Sequence, residues 1–142
     1  MAIARGAGTE IIRTAKFADV DSTVTTLITG VQHHIYTVLS IVVQCESTAT
    51  PGTNKFYLKL VGYDAKGGSS AADNTLLKWV MVNDNTFVWN DKFSFTGTEP
   101  SSNSQDAHAD QGTTTAQLLK MNTTAAADNC TVIITYIDQN NA

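Results

Sequence analysis

The sequence has 142 residues, of which 42% are hydrophobic and only 15% are charged, and its formal net charge is −4. A chain of this length suits one domain with a single core. Its lysines and arginines are scattered singly, which argues against a nucleic-acid partner, because no basic surface is offered to phosphates. No stretch reaches the roughly 20 apolar residues of a membrane helix, and the N-terminus lacks the pattern of a signal peptide, so no membrane partner is expected.

The first third of the chain predicts an arm followed by two strands. Residues 1–9 are small and glycine-rich, which is typical of a flexible N-terminal arm, and we take residues 10–142 as the folded domain. Residues 10–17 alternate loosely in polarity and predict a first strand. Residues 18–21 predict a turn, and the threonine-rich residues 22–28 predict a second strand.

The third predicted strand, residues 34–43, is central to the sequence. It contains no glycine or proline, and most of its residues are β-branched or aromatic. Strict alternation would place Ile35, Leu39, Ile41 and Val43 on one face. Tyr36, Val38 and Val42 would lie on the other face. A strand that is apolar on both faces lies in the middle of a sheet that is covered on both sides. We therefore expect one layer of a sandwich, or a strand at a subunit contact.

The remaining strands follow at short intervals, with turn signals between them. They are predicted at residues 55–63, 76–82, 86–95, 113–121 and 130–137, and the segment 86–95 is expected to bend at Asn90-Asp91. No segment predicts a helix convincingly. The pattern indicates an all-β chain: a single antiparallel β-sandwich or jelly roll of about eight strands.

The two cysteines, Cys45 and Cys130, lie at the edges of predicted strands and could be neighbours. Without a secretory signal, we favour two buried thiols over a disulfide.

Few residues suggest chemistry. Asp106, His108 and Asp110 are spaced so that an extended loop would point all three the same way, as a metal site requires, but a solvated polar loop is the favoured interpretation. His33 and His34 are adjacent, so a strand would turn them to opposite faces. We find no catalytic nucleophile with its base, and therefore expect no enzyme, no cofactor and no metal.

Trp79 and Trp89 could stack on sugar rings, as the aromatic residues of carbohydrate-binding modules do. Both are flanked by apolar or β-branched residues, however, which favours a place in the core or at an interface.

Four phrases of the sequence, at residues 8–13, 34–41, 86–93 and 135–139, resemble a group of virion proteins from tailed bacteriophages, especially marine phages. The resemblance implies a small β-sandwich that serves as a capsid decoration (cement) protein or a tail-associated accessory, often as a trimer. It carries over no functional residue. The implied partners are copies of itself and the major capsid protein or neighbouring virion proteins, and the implied location is the virion, assembled in the host cytoplasm.

From this resemblance we expect a non-enzymatic protein that stabilises the phage head by docking through its arm and one sandwich face. The alternatives are a tail or fibre accessory protein and a carbohydrate-binding module that uses Trp79, Trp89 or the loop at residues 96–112. The candidate interface residues are Ile3, Arg5, Ile11, Ile12, Arg13, Trp79 and Trp89.

Overall fold

The computed structural model of the chain describes residues 9–62, 72–99 and 115–140. These residues form nine β-strands and no helix. In chain order the strands are β1 (Thr9–Val20), β2 (Thr25–Thr29), β3 (His34–Ser47), β4 (Lys55–Val61), β5 (Asp73–Val80), β6 (Thr86–Trp89), β7 (Phe93–Thr96), β8 (Leu118–Thr123) and β9 (Asn129–Asn140).

The strands build two antiparallel sheets. Sheet A has the order β1-β9-β3-β6, and β7 pairs with β3 beside β6; sheet B has the order β2-β8-β4-β5. The chain crosses between the sheets at most of its connections, and β6 and β7 act as one strand interrupted at Asn90-Asp91. This is the jelly-roll form of the β-sandwich. The all-β sandwich and the bend at this point are both confirmed.

The core lies between the facing sides of the two sheets and follows from the alternation along each strand. On β4, Phe56 and Leu58 are fully buried, while their neighbours Tyr57 and Lys59 turn outward. On β9, Val132 and Ile134 are buried in the same way. Alternating apolar and polar residues thus place one side of each strand in the core and leave the other side outside.

A β-bulge in β3 overturns the predicted faces of the central strand. Val38 pairs with Tyr136, and Ser40 pairs with Thr135, so Leu39 is an extra residue without a direct partner on β9. The bulge reverses the alternation, and Ile41 therefore points into the core on the same side as Val38. The prediction that Ile35 and Leu39 share a face with Ile41 and Val43 is wrong.

β1 is longer than predicted. The expected turn at residues 18–21 is instead strand up to Val20, which is buried, after an irregularity in the pairing with β9. Asp19 adopts a left-handed backbone conformation at this irregularity, with φ = 57°, which aspartate tolerates better than most residues. The predicted arm at residues 1–9 lies outside the described residues except for Thr9, which begins β1, so the arm stays a prediction.

Candidate functional site

On the side of sheet A that faces away from the core, most of the aliphatic side chains lie in two rows that run across the strands. The first row runs from Ile133 through Val42 to Val88, and the second pairs Ile12 with Ile137. We call this side the outer face of sheet A. Val88 is 49% exposed and Ile12 is 69% exposed. An aliphatic surface in water is unfavourable, so such a surface on a folded chain marks a contact site.

Hydroxyl groups of Thr14 and Thr135 lie between the two aliphatic rows, and those of Thr37 and Ser94 continue the second row beyond Ile137. Thr14 and Thr135 lie side by side with their hydroxyl oxygens 3.3 Å apart, and the hydroxyls of Thr37 and Ser94 are 2.8 Å apart. These hydroxyls bond to one another across strands, which leaves the surface neutral. A neutral surface can meet another with little desolvation cost.

Two charged residues of β1 border this face, Glu10 near the start of the strand and Lys16 farther along it. Four strands about 4.8 Å apart and nine residues at about 3.3 Å each give a face of about 19 Å by 30 Å. This projected area of about 570 Å² is about seven tenths of the roughly 800 Å² per partner of a standard protein interface.

A polar cluster lies on the inner side of sheet A, at the end where β1 begins and β9 ends. Asp138 on β9 accepts a hydrogen bond from Nε of Arg13 on β1 at 3.1 Å, and its second oxygen lies 2.6 Å from Nδ1 of His34 on β3. The three side chains, with Thr9, Ile11 and Asn140, line a cavity of about 120 Å³. The carboxylate joins three neighbouring strands, so we assign the cluster to holding the strand ends in register.

Tyr36 packs beside this cluster as a neutral phenol. Its oxygen accepts a hydrogen bond from the backbone N–H of Val31 at 3.2 Å, and its ring stacks on Phe95. Burial, reinforced by the charge of Asp138, raises the pKa of Tyr36 to about 12. A phenol held neutral in this way is a packing group and a poor general acid near neutral pH.

The two cysteines are direct partners across β3 and β9, and both are buried free thiols, as the sequence favoured. The Cys130 thiol lies 3.3 Å from the sulfur of Met81. Burial raises the pKa of Cys130 to about 12 and also raises that of Cys45. Since the thiolate is the reactive form, neither cysteine is set up as a nucleophile.

We expect Cys45 and Cys130 to be inert toward a water-soluble aromatic disulfide reagent in the native protein and to react fully in denaturant. The native reaction should be at least about a thousandfold slower, because it requires the core to open. Absorbance of the released thiolate measures both rates. Native reaction at the rate of a free thiol would contradict the buried placement.

Trp79 and Trp89, for which sugar stacking was the alternative to a place in the core or at an interface, turn toward the sandwich interior. Trp79 packs on Phe87, and Trp89 meets the ring of Phe93 edge-on while its Nε1 donates to the backbone oxygen of Asp91 at 2.5 Å. Both are partly buried against the core. Neither ring presents an open flat face on the outer side of its sheet.

The other sequence candidates are placed as follows. Ile11 lines the cavity and Arg13 binds Asp138, while Ile12 lies on the outer face of sheet A. Sequence reasoning missed the cluster because His34 and Asp138 are 104 residues apart. Five candidates lie outside the described residues: Ile3, Arg5, Asp106, His108 and Asp110.

The described residues contain no group of three or more histidine, cysteine, aspartate or glutamate side chains that could hold a metal ion. Across residues 9–62, 72–99 and 115–140, no helix has the length and apolarity needed to cross a membrane.

No family profile and no curated protein matches the chain. A solved structure described as "Bacillus endospore appendages form a novel family of disulfide-linked pili" is similar over the whole length. The match covers 100% of this chain and 97% of that one, with 10% sequence identity and a TM-score of 0.45. At this identity and TM-score, the likeness assigns no function to this chain.

The comparisons overturn the predicted phage resemblance. None of them finds a virion protein, and the solved structure that spans the chain comes from a spore appendage. The assignment to tailed-phage virion proteins is therefore wrong, and so are the capsid-decoration function, the virion location and the capsid partners that depended on it. The trimer implied by that resemblance loses its basis as well.

Proposed function

We propose that this chain is a non-enzymatic structural subunit that assembles with copies of itself into a fibre. The observation that carries the proposal is the outer face of sheet A. Its aliphatic rows have no cover in the described part of the chain, and its size approaches that of a standard protein interface.

A second copy of the chain is the occupant that best fits this face. The middle of the face is neutral and lined with β-branched side chains and hydroxyls, so two copies can stack sheet on sheet. The outer side of sheet B differs, because its strands carry Lys55, Lys59, Lys78 and Lys120. Lys120 pairs with Asp73 at 3.2 Å, but stacking sheet B on itself would bring the other three positive charges together, so self-contact favours sheet A.

A structural role also agrees with the chemistry of the described side chains. The histidine–aspartate contact has an arginine on the same carboxylate, and both thiols are buried with raised pKa values. Because both cysteines are enclosed in the core, a polymer of this chain in its folded state would be held by noncovalent contacts and not by intersubunit disulfides.

Replacing Val88 with aspartate tests the proposal. Val88 lies at the edge of the outer face of sheet A beside Val42, and a carboxylate there would have to lose its water when two faces stack. We expect the apparent association constant to fall at least about a hundredfold, equivalent to about 3 kcal/mol. Light scattering coupled to size-exclusion chromatography measures the change.

Val80→Asp is the matched control. Val80 is 43% exposed against 49% for Val88, and it also lies on an edge strand with its side chain outward, but it belongs to sheet B. We expect this variant to associate like the wild type. Equal loss in both variants, or no loss in Val88→Asp, would contradict the proposal.

A further inference from the structure

β1 forms a long, regular edge of sheet A. It pairs with β9 at nine consecutive positions from Thr9 to Phe17, and the described part of the chain places no strand on its other side. Natural proteins usually shorten, bulge or cover such an edge, because its backbone can pair with another chain. The other described edges are short or irregular: β6 and β7 have four residues each, β2 has five, and both β2 and β5 have shifted registers.

The charges on β1 are arranged symmetrically about Arg13. Glu10 lies three residues before it and Lys16 three residues after it, and both side chains are on the outer side of the sheet. If two β1 strands pair antiparallel about a two-fold axis at Arg13, each Glu10 lies opposite Lys16 of the other copy. Directly opposed residues of opposite charge favour a cross-strand pair.

The same register matches the other side chains of the strand. Ile12 comes opposite Thr14 on the outer side, and Ile11 comes opposite Ala15 on the inner side. The two Arg13 side chains meet at the axis, but each already donates to Asp138 at 3.1 Å, so its charge is compensated within its own copy. A register centred on Ile12 would instead place Glu10 opposite Thr14 and form no charge pair.

We propose that β1 pairs antiparallel with β1 of a second copy in this register and joins two copies of sheet A into one continuous sheet. This inference rests on the proposed function and names its second contact. A pair made at the β1 edge still exposes two outer faces, and a pair made at the outer faces still exposes two β1 edges. Both outer faces of an edge pair lie on the same side of the joined sheet. Alternation of the two contacts extends into a fibre when stacked pairs are staggered, so that each pair contacts two others, whereas pairs stacked in full register would close as a tetramer.

Mixed disulfide formation tests the register directly. We would prepare two single variants, Glu10→Cys and Lys16→Cys, mix them and oxidise them mildly. The mixed pair brings the two new thiols opposite each other at one end and keeps its Lys16–Glu10 contact at the other. We expect a covalent dimer in the mixture on a nonreducing gel and none from either variant alone. In a pair made from one variant, the two cysteines of the two copies lie six positions apart along the paired strands.

Charge reversal provides the equilibrium measurement. Glu10→Lys should weaken association about tenfold, since both charge pairs become repulsive, and the double variant Glu10→Lys/Lys16→Glu should restore it. These side chains lie on the solvent side of an edge strand, so circular dichroism is expected to show an unchanged fold.

The outcomes separate the two proposals. No covalent dimer in the mixture, or equal dimer from each variant alone, would overturn the β1 pairing and leave the outer face to be judged by Val88→Asp. A mixed dimer together with an unaffected Val88→Asp would support the edge contact and remove the outer face.

Discussion

Asp128→Ala is expected to destabilise the folded chain by about 4 kcal/mol. Asp128 is 3% exposed, and its carboxylate accepts four hydrogen bonds. The donors are the Thr48 hydroxyl at 2.9 Å, the Ala49 N–H at 2.9 Å, the Asn54 side-chain amide at 3.0 Å and the Ala125 N–H at 2.8 Å. Alanine would leave several of these buried donors without a partner, at about 1–3 kcal/mol each before relaxation.

The carboxylate of Asp128 joins two loops at one end of the sandwich. Thr48, Ala49 and Asn54 belong to the β3–β4 connection, and Ala125 belongs to the β8–β9 connection. Urea unfolding, followed by tryptophan fluorescence, measures the loss. Asp91→Ala is the control, since Asp91 is exposed, and its free energy of unfolding should change by less than about 0.5 kcal/mol. An equally small change for Asp128→Ala would contradict the assigned role.

The same carboxylate gives the stability a pH dependence of known sign. Burial alone would raise the pKa of Asp128, but the hydrogen bonds from Asn54, Ala49, Ala125 and Thr48 outweigh it and lower the pKa below its ordinary value. A lowered pKa in the folded state stabilises the fold above the ordinary aspartate pKa of about 4. That contribution is lost as the pH falls through the folded-state value. Asp128→Asn should therefore remove part of the acid sensitivity below about pH 4.

Gly97→Ala is expected to cost about 3 kcal/mol for a steric reason. A methyl group at Gly97 would lie 1.8 Å from the backbone oxygen of Val31, so the backbone itself would have to move. The movement would disturb two hydrogen bonds of this residue, one from its N–H to the oxygen of His34 at 2.8 Å and one from the Gln117 N–H to its oxygen at 2.9 Å.

Gly52→Ala is the matched control for Gly97→Ala. Gly52 has φ = 77° and no heavy atom within 4 Å of the added methyl group, so its cost is that of the left-handed backbone alone, about 1 kcal/mol. Thermal unfolding of the two variants compares the costs. If Gly52→Ala were the more destabilising of the two, that result would contradict the steric cost assigned to the close approach of Gly97 to Val31.

Alternation in the sequence was enough to predict the class of fold. Phe56 and Leu58, or Val132 and Ile134, repeat every second residue, and this period is set within each strand. The same reasoning failed at Leu39, because a bulge depends on the partner strand β9 and is not encoded in the period of β3 itself. The sequence therefore predicts the wrong set of side chains for each face of β3.

The polar contacts could not be predicted from the sequence for a related reason, because they join residues that are far apart in the chain. Asp128 follows an unremarkable run of alanines, and its partners lie up to 80 residues away. The meeting of Arg13, His34 and Asp138 likewise depends on three strands being neighbours in one sheet. Local patterns do not contain such pairings. The function was inferred from the phage resemblance instead, and the comparisons overturn that function.

Sedimentation velocity of the wild-type chain over a wide range of concentrations tests the central claim most directly. If the chain is a self-assembling fibre subunit, the sedimentation coefficient should rise with concentration through dimers to longer species without a limiting size. A single species with the 15.2 kDa mass of the monomer at every concentration would contradict it.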